Sequence, residues 1–181
     1  GKLIIEKLKI NGVLKDKDKI TSLGSTGIIL FSSGTTGKPK LMIQNLSQII
    51  QNIQKPRRQK SLIFLLFLMF DHIGGINTLF QCLKNGAPIV IPSSRNPSSI
   101  IELIENHKVN VLPTSPTFLN MMLMDEKFNE KKLDSLKLIT YGTERMPKSL
   151  LEKINKNLPK VKLLQTFGTS ETGILKTKSM S

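Results

Sequence analysis

The chain has 181 residues, 39% of them hydrophobic, and a formal net charge of +14, so one domain or a large subdomain with an ample core is expected. Its longest apolar run, residues 62–70, falls short of the roughly 20 residues that span a bilayer, and no secretory pattern opens the sequence. Cys82 is the single cysteine, which excludes an intramolecular disulfide and suits a buried thiol in a reducing cytoplasm.

The positive charge invites a nucleic-acid reading, but its makeup argues against one. Arginine, the better residue for bidentate phosphate and base contacts, occurs only at Arg57, Arg58, Arg95 and Arg145 among 27 basic residues. Phe31, Phe64, Phe67, Phe70 and Phe80 lie inside apolar runs and do not alternate with basic residues as a stacking platform would. Solvated lysines are expected, and no specific nucleic-acid partner. No Cys/His cluster has metal-ligand spacing.

In chain order, residues 1–26 form a poorly patterned, lysine-rich segment with an edge strand at 3–5, a turn at 16–19 and no recognisable chemistry. Residues 27–181 form the second unit. Ile28, Ile29, Leu30 and Phe31 read as a buried strand that runs into SSGTTGKPK at 32–40. Gly34 and Gly37 permit backbone angles and close approaches that a Cβ would block. The hydroxyls of Ser32, Ser33, Thr35 and Thr36, with exposed backbone N–H groups, can face an anion as a phosphate-binding nest does. Lys38 and Lys40 add mobile positive charge, and Pro39 stiffens the exit. A plain surface turn is the alternative, but few linkers leave a buried strand with two lysines around a proline. A Walker A loop is excluded, because the glycines are three apart and Pro39 follows Lys38.

A short strand at 41–43 follows, then Asn45 as the cap of a helix carrying Leu46, Ile49, Ile50 and Ile53. The basic cluster KPRRQK at 55–60 ends it. Residues 61–70 lack alternation, as a strand covered on both faces does. The loop Asp71–Gly75 precedes a helix with Ile76, Leu79, Phe80 and Leu83, closed by Asn85-Gly86. Strand 87–91, helix 97–107, strand 109–112 and a helix from about Ser115 continue the alternation. Strand 136–140, the loop Tyr141–Glu144, a helix over 147–157 with Pro in its first turn, and strand 161–165 lead into 166–173. Alternating strands and helices predict an α/β fold, a mostly parallel sheet with helices on both faces. Ligands then bind beyond the carboxyl ends of the strands, where the loops 32–40, 71–75, 141–144 and 167–171 are expected to gather.

All four of these loops carry a family resemblance; FDHIGG at 70–75 resembles the family segment in which a His or aromatic residue follows a buried strand, next to the carboxylate substrate. SSGTTGKPK resembles the phosphate-binding signature of the adenylate-forming (AMP-binding) superfamily, which holds acyl-CoA synthetases, luciferases and peptide-synthetase adenylation domains. QTFGTSETG at 165–173 resembles its aromatic-Gly-x-Thr-Glu motif, and TYGTERMP at 140–147 the segment bordering the adenine and the acyl pocket. The resemblance covers about residues 25–173 and implies part of an acetyl-CoA-synthetase-like N-terminal domain. Further N-terminal sequence, a later ribose-binding Asp, a hinge and a small C-terminal domain with a catalytic Lys are expected in the same protein.

The implied reaction joins a small carboxylic acid to ATP with Mg²⁺, giving acyl-AMP and pyrophosphate. A thiol, of CoA or a phosphopantetheine carrier, then takes the acyl group. Ser33, Thr35, Thr36, Lys38 and Lys40 would hold the β- and γ-phosphates, and Lys38, His72 and Glu171 are the implied catalytic residues. His72, in FDHIGG, would orient the carboxylate, while Asp71 leaves open an amino-acid substrate whose ammonium it would pair. Gly142, Thr143 and Glu144 would border the nucleotide; Phe167 would lie against the adenine beside Gly168 and Thr169. Ser170 would reach the α-phosphate and Glu171 would hold Mg²⁺. Ser170 replaces the usual Thr, and Leu41 stands where Gly is usual. The chain alone is expected not to turn over. The rivals are a nucleotide-binding module without catalysis and, behind it, a basic nucleic-acid-binding protein.

Overall fold

The structure, a computed structural model, describes residues 27–32, 40–52, 62–142, 144–169 and 173–175. The segment 1–26, the cluster 55–60 and most of the phosphate signature lie outside the described residues. β1 (Gly27–Ser32) pairs antiparallel with β2 (Lys40–Asn45), from Gly27 opposite Asn45 to Ser32 opposite Lys40. α1 (Leu46–Asn52) follows directly after Asn45. Next come β3 (Phe64–Leu65), α2 (Ile73–Asn85), β4 (Ile89–Val90), α3 (Pro97–His107), β5 (Val111–Thr114) and α4 (Pro116–Met124). A 3₁₀ turn at Glu130–Leu133, β6 (Leu138–Tyr141), α5 (Lys148–Asn157) and β7 (Lys162–Gln165) complete the main sheet. β8 (Phe167–Thr169) and β9 (Gly173–Leu175) form a second antiparallel pair.

The main sheet is parallel, in the order β4-β3-β5-β6-β7. The chain steps outward from β3 to β4, then reverses past β3 to β5. Right-handed crossovers put the helix of an outward step and those of the return steps on opposite faces. The packing follows that rule. Ile100, Ile101 and Ile104 of α3, Phe118, Leu119 and Met122 of α4, and Leu150 and Ile154 of α5 bury one core with Leu65, Leu112 and Ile139 of the sheet. α2 contributes nothing to that core; its Ile73 and Ile76 bury against Leu30 of β1.

Local chemistry sets the helix ends. Asn96 and Ser115 accept from the backbone N–H of Ser99 and Phe118, and a proline stands in the first turn of α3 and α4, where its missing N–H costs nothing. Gly86 closes α2 at φ 60°, its N–H donating to Cys82 O and Leu83 O. Asn110 ties three strands together. Its Oδ1 accepts from Ile63 N at 3.0 Å and its Nδ2 donates to Ser135 O at 3.0 Å.

Two expectations are corrected. The run 61–70 is not one strand: only Phe64–Leu65 pair as β3, and Met69 and Phe70 are about half exposed. The reason lies in β5. Val111 N donates to Ile63 O, so parallel-ladder alternation aims the next nitrogen on that side, that of Pro113, at Leu65 O. Proline has no hydrogen to give. Phe67 N takes that carbonyl instead, at 2.9 Å, and β3 turns away from β5. Nor do all four polar loops crown one sheet. β1 and β8 belong to separate two-stranded pairs, and Ile29 of the supposed buried strand is 42% exposed.

Candidate active site

The divergence of β3 from β5 opens a crevice where the strand order reverses, the usual place for a ligand in an open α/β sheet. A cavity of about 140 Å³ fills it, lined by Leu68, His72 and Gly74 after β3, Thr114 and Ser115 at the end of β5, Thr140 to Gly142 at the end of β6, and Thr166 after β7. Its described lining carries no carboxylate, lysine or arginine.

His72 is the N-cap of α2, and its Nδ1 accepts from Gly74 N at 3.0 Å. A nitrogen that accepts carries no proton, so in the neutral ring Nε2 carries it and is the donor left for a bound group. The chain can make this turn because Gly75 has no Cβ, which would stand 2.1 Å from Met69 O. Gly142 serves the opposite wall. Thr166 N donates to Tyr141 O at 2.7 Å, and a Cβ on Gly142 would meet Thr166 O at 2.7 Å. Asp71, next to His72, is exposed and does not line the cavity.

Of the residues singled out in the sequence, the structure brings His72 and Gly142 to one cavity. Glu144 is not there. Its Oε2 accepts from Thr117 N at 3.1 Å and Thr117 Oγ1 at 2.6 Å, capping the first turn of α4, where a carboxylate is favoured. It lines a separate open groove with Arg145 and Lys153. Ser32 and Lys40 face each other as the last backbone pair of β1 and β2, so 33–39 is the connection of a hairpin. That hairpin is anchored beside His72, since Leu30 packs on Ile73. Phe167, Gly168 and Thr169 form β8 directly after Thr166. Ser33, Gly34, Thr35, Thr36, Gly37, Lys38, Thr143, Ser170 and Glu171 lie outside the described residues.

Sequence reasoning missed Thr114, Ser115, Thr140 and Thr166 as lining residues. A signal existed for the first two: they lie between Pro113 and Pro116, just past an apolar strand, at the carboxyl end where ligands bind.

Known proteins resemble this chain in sequence and in fold. The chain is 27% identical over 156 residues to the D-alanine--D-alanyl carrier protein ligase of Bacillus licheniformis, covering 82% of this chain and 31% of that protein. It is 29% identical over 152 residues to 4-coumarate-CoA ligase 1 of Narcissus pseudonarcissus, covering 79% and 28%. Among solved structures, the N-terminal domain of FACL13 from Mycobacterium tuberculosis shares the fold at TM-score 0.70 and 19% identity, over 81% of this chain and 38% of that one. O-succinylbenzoate Coenzyme A synthetase from Bacillus subtilis does so at 0.64 and 23%, over 78% and 30%. The chain thus spans about 30% of the length of these two curated relatives. The model of the AMP-binding family, described as AMP-binding enzyme, matches residues 4–179. A match of that extent leaves little of the sequence outside it, and the chain belongs to the AMP-binding enzyme family.

Proposed function

We propose that this chain forms the acid-binding and part of the nucleotide-binding region of an AMP-forming carboxylic acid ligase. The observation that carries the reading is the crevice cavity, whose described lining carries no carboxylate, lysine or arginine and includes His72 with Nε2 left as its ring donor. An acid entering it would present a carboxylate oxygen to Nε2–H and keep its acyl part among Leu68, Tyr141 and the threonines. His72 has its ring fixed by Gly74 N, so the carboxylate would be held before reaction, with little orientational freedom to lose at the transition state.

Gly142 lets the Thr166 backbone pack closely against it, and Phe167 follows Thr166 at once for an adenine ring to stack on. Ser33, Thr35, Thr36, Lys38 and Lys40 would hold the β- and γ-phosphates from the hairpin anchored next to His72. Glu171 is the residue assigned to Mg²⁺, which when bound with ATP neutralises charge on the departing pyrophosphate. The D-alanine and 4-coumarate ligases among the relatives support an acid substrate and a CoA or carrier-protein thiol as acceptor. A cytoplasmic location suits the single thiol. The exposure of Asp71 outside the cavity favours His72 over Asp71 as the acid-facing residue, hence an acyl or aryl acid over an amino acid.

The test is ATP–pyrophosphate exchange by the full-length protein that carries this chain, with a panel of fatty, aryl and amino acids. Exchange with one acid class establishes adenylation and assigns the substrate. A folded, ATP-binding protein that exchanges with none of them is a nucleotide-binding module without catalysis.

A further inference from the structure

β5 and β6 pair in register as far as Thr114 opposite Tyr141. Past that pair the strands feed different connections, Ser115 into α4 and Gly142 into the loop before α5, and both residues line the crevice cavity. Glu144 bridges the two connections. Its Oε2 accepts from Thr117 N at 3.1 Å and from Thr117 Oγ1 at 2.6 Å, a length typical of a hydroxyl on an ionised carboxylate. Glu144 is itself held close to the cavity wall, its N–H donating to Gly142 O at 2.8 Å. The start of α4 depends on this contact. Pro116 has no N–H, Ser115 Oγ takes Phe118 N and Ser115 O takes Leu119 N. Thr117 N is the first-turn donor that the local sequence leaves over, and Glu144 supplies its acceptor.

We propose that Glu144 is a positioning residue: its clamp on Thr117 holds the carboxyl ends of β5 and β6 at the separation that seats the acid. This rests on the acid-ligase reading above. Glu144 is not among the residues that line the cavity, so it acts through Thr117 and not on the acid. With the clamp made, the Ser115 and Gly142 walls move as one piece; without it, each is held from its own strand end. A wall displaced by about 1 Å costs up to roughly 100-fold in rate with every reacting group still present. The clamp requires an acceptor oxygen, which a glutamine amide also offers.

The test uses the full-length protein and its best acid in ATP–pyrophosphate exchange, with Glu144→Ala, Glu144→Gln, Thr117→Val and the double variant Glu144→Ala/Thr117→Val. Glu144→Ala is expected to raise KM for the acid by about 10-fold and to leave KM for ATP unchanged, and Glu144→Gln to stay near wild type. Thr117→Val is expected to weaken exchange alone but to add nothing in the Glu144→Ala background, because its hydroxyl acts only through Glu144. Additive losses, or a rise in KM for ATP in place of the acid, would mean that Glu144 meets the nucleotide itself and would overturn the proposal. Hydrogen–deuterium exchange without ligand is the second measurement. Glu144→Ala is expected to speed exchange over residues 138–142 and 115–119, with Glu144→Gln close to wild type. Unchanged protection over 138–142 overturns the proposal, as do variants that melt lower yet match wild type in pyrophosphate exchange. Wild type that exchanges with no acid overturns the ligase reading and this role with it, whereas variants without effect in an active enzyme overturn the clamp alone.

Discussion

His72 uses its two ring nitrogens differently, and they can be separated. Nδ1 caps α2 through Gly74 N, while Nε2 is left as the ring's donor in a residue that lines the cavity. Asparagine is a strong N-cap residue but cannot place a donor where Nε2 sits. We expect His72→Asn to change thermal stability by no more than about 0.5 kcal/mol while cutting exchange activity about 10- to 100-fold. His72→Ala is expected to lose both. Calorimetry beside the exchange assay checks this, and equal losses of stability in the two variants would refute the division. The resemblance of FDHIGG to the family segment singled out His72 as a candidate site residue, but nothing in the sequence disclosed its capping role. Glu144 shows the converse. Its motif was legible, yet its partner Thr117 lies 27 residues away, in a helix brought near only by the packing of β5 beside β6.

At the scale of elements, punctuation was legible and pairing was not. Prolines at 97 and 116 and the Asn85-Gly86 pair mark helix ends through local backbone rules, and helix 97–107 coincides with α3. Strand length was misjudged at 61–70 because uninterrupted hydrophobicity does not say where hydrogen bonding stops. α3 ends on Lys108 at φ 51°, in the left-handed region that a side chain adopts only at a cost. Lys108→Gly is expected to stabilise the chain by about 0.5–1 kcal/mol, read as a higher melting temperature. Gly75 permits no such freedom. Gly75→Ala puts a Cβ against the Met69 carbonyl, in backbone that cannot yield as a side-chain end can. A loss of about 2–4 kcal/mol in denaturant unfolding is expected.

For the whole molecule, the βα alternation along the sequence was enough to infer a parallel α/β fold. Strand order escaped it, because the order depends on which way each crossover steps, and the two small hairpins depend on pairing that local pattern does not encode. Cys82, expected as a buried thiol, is fully buried in α2. Burial pushes its pKa from 9.0 up to about 11. The folded chain keeps a proton that the unfolded chain releases, so this contribution to stability is complete below about pH 9 and is lost as pH climbs toward 11. Denaturation at pH 8 and pH 10.5 is expected to show a larger loss for wild type than for Cys82→Ala. Equal losses would mean that the thiol titrates freely in the folded state.

The missing hydrogen of Pro113 has a consequence for how this pocket diversifies. The opening beside β5 comes from main-chain chemistry at one position, so the walls at Thr114, Tyr141 and Thr166 can be exchanged without closing it. Frame and lining are independent parts: one imino acid keeps the gap, and the side chains around it are free to change.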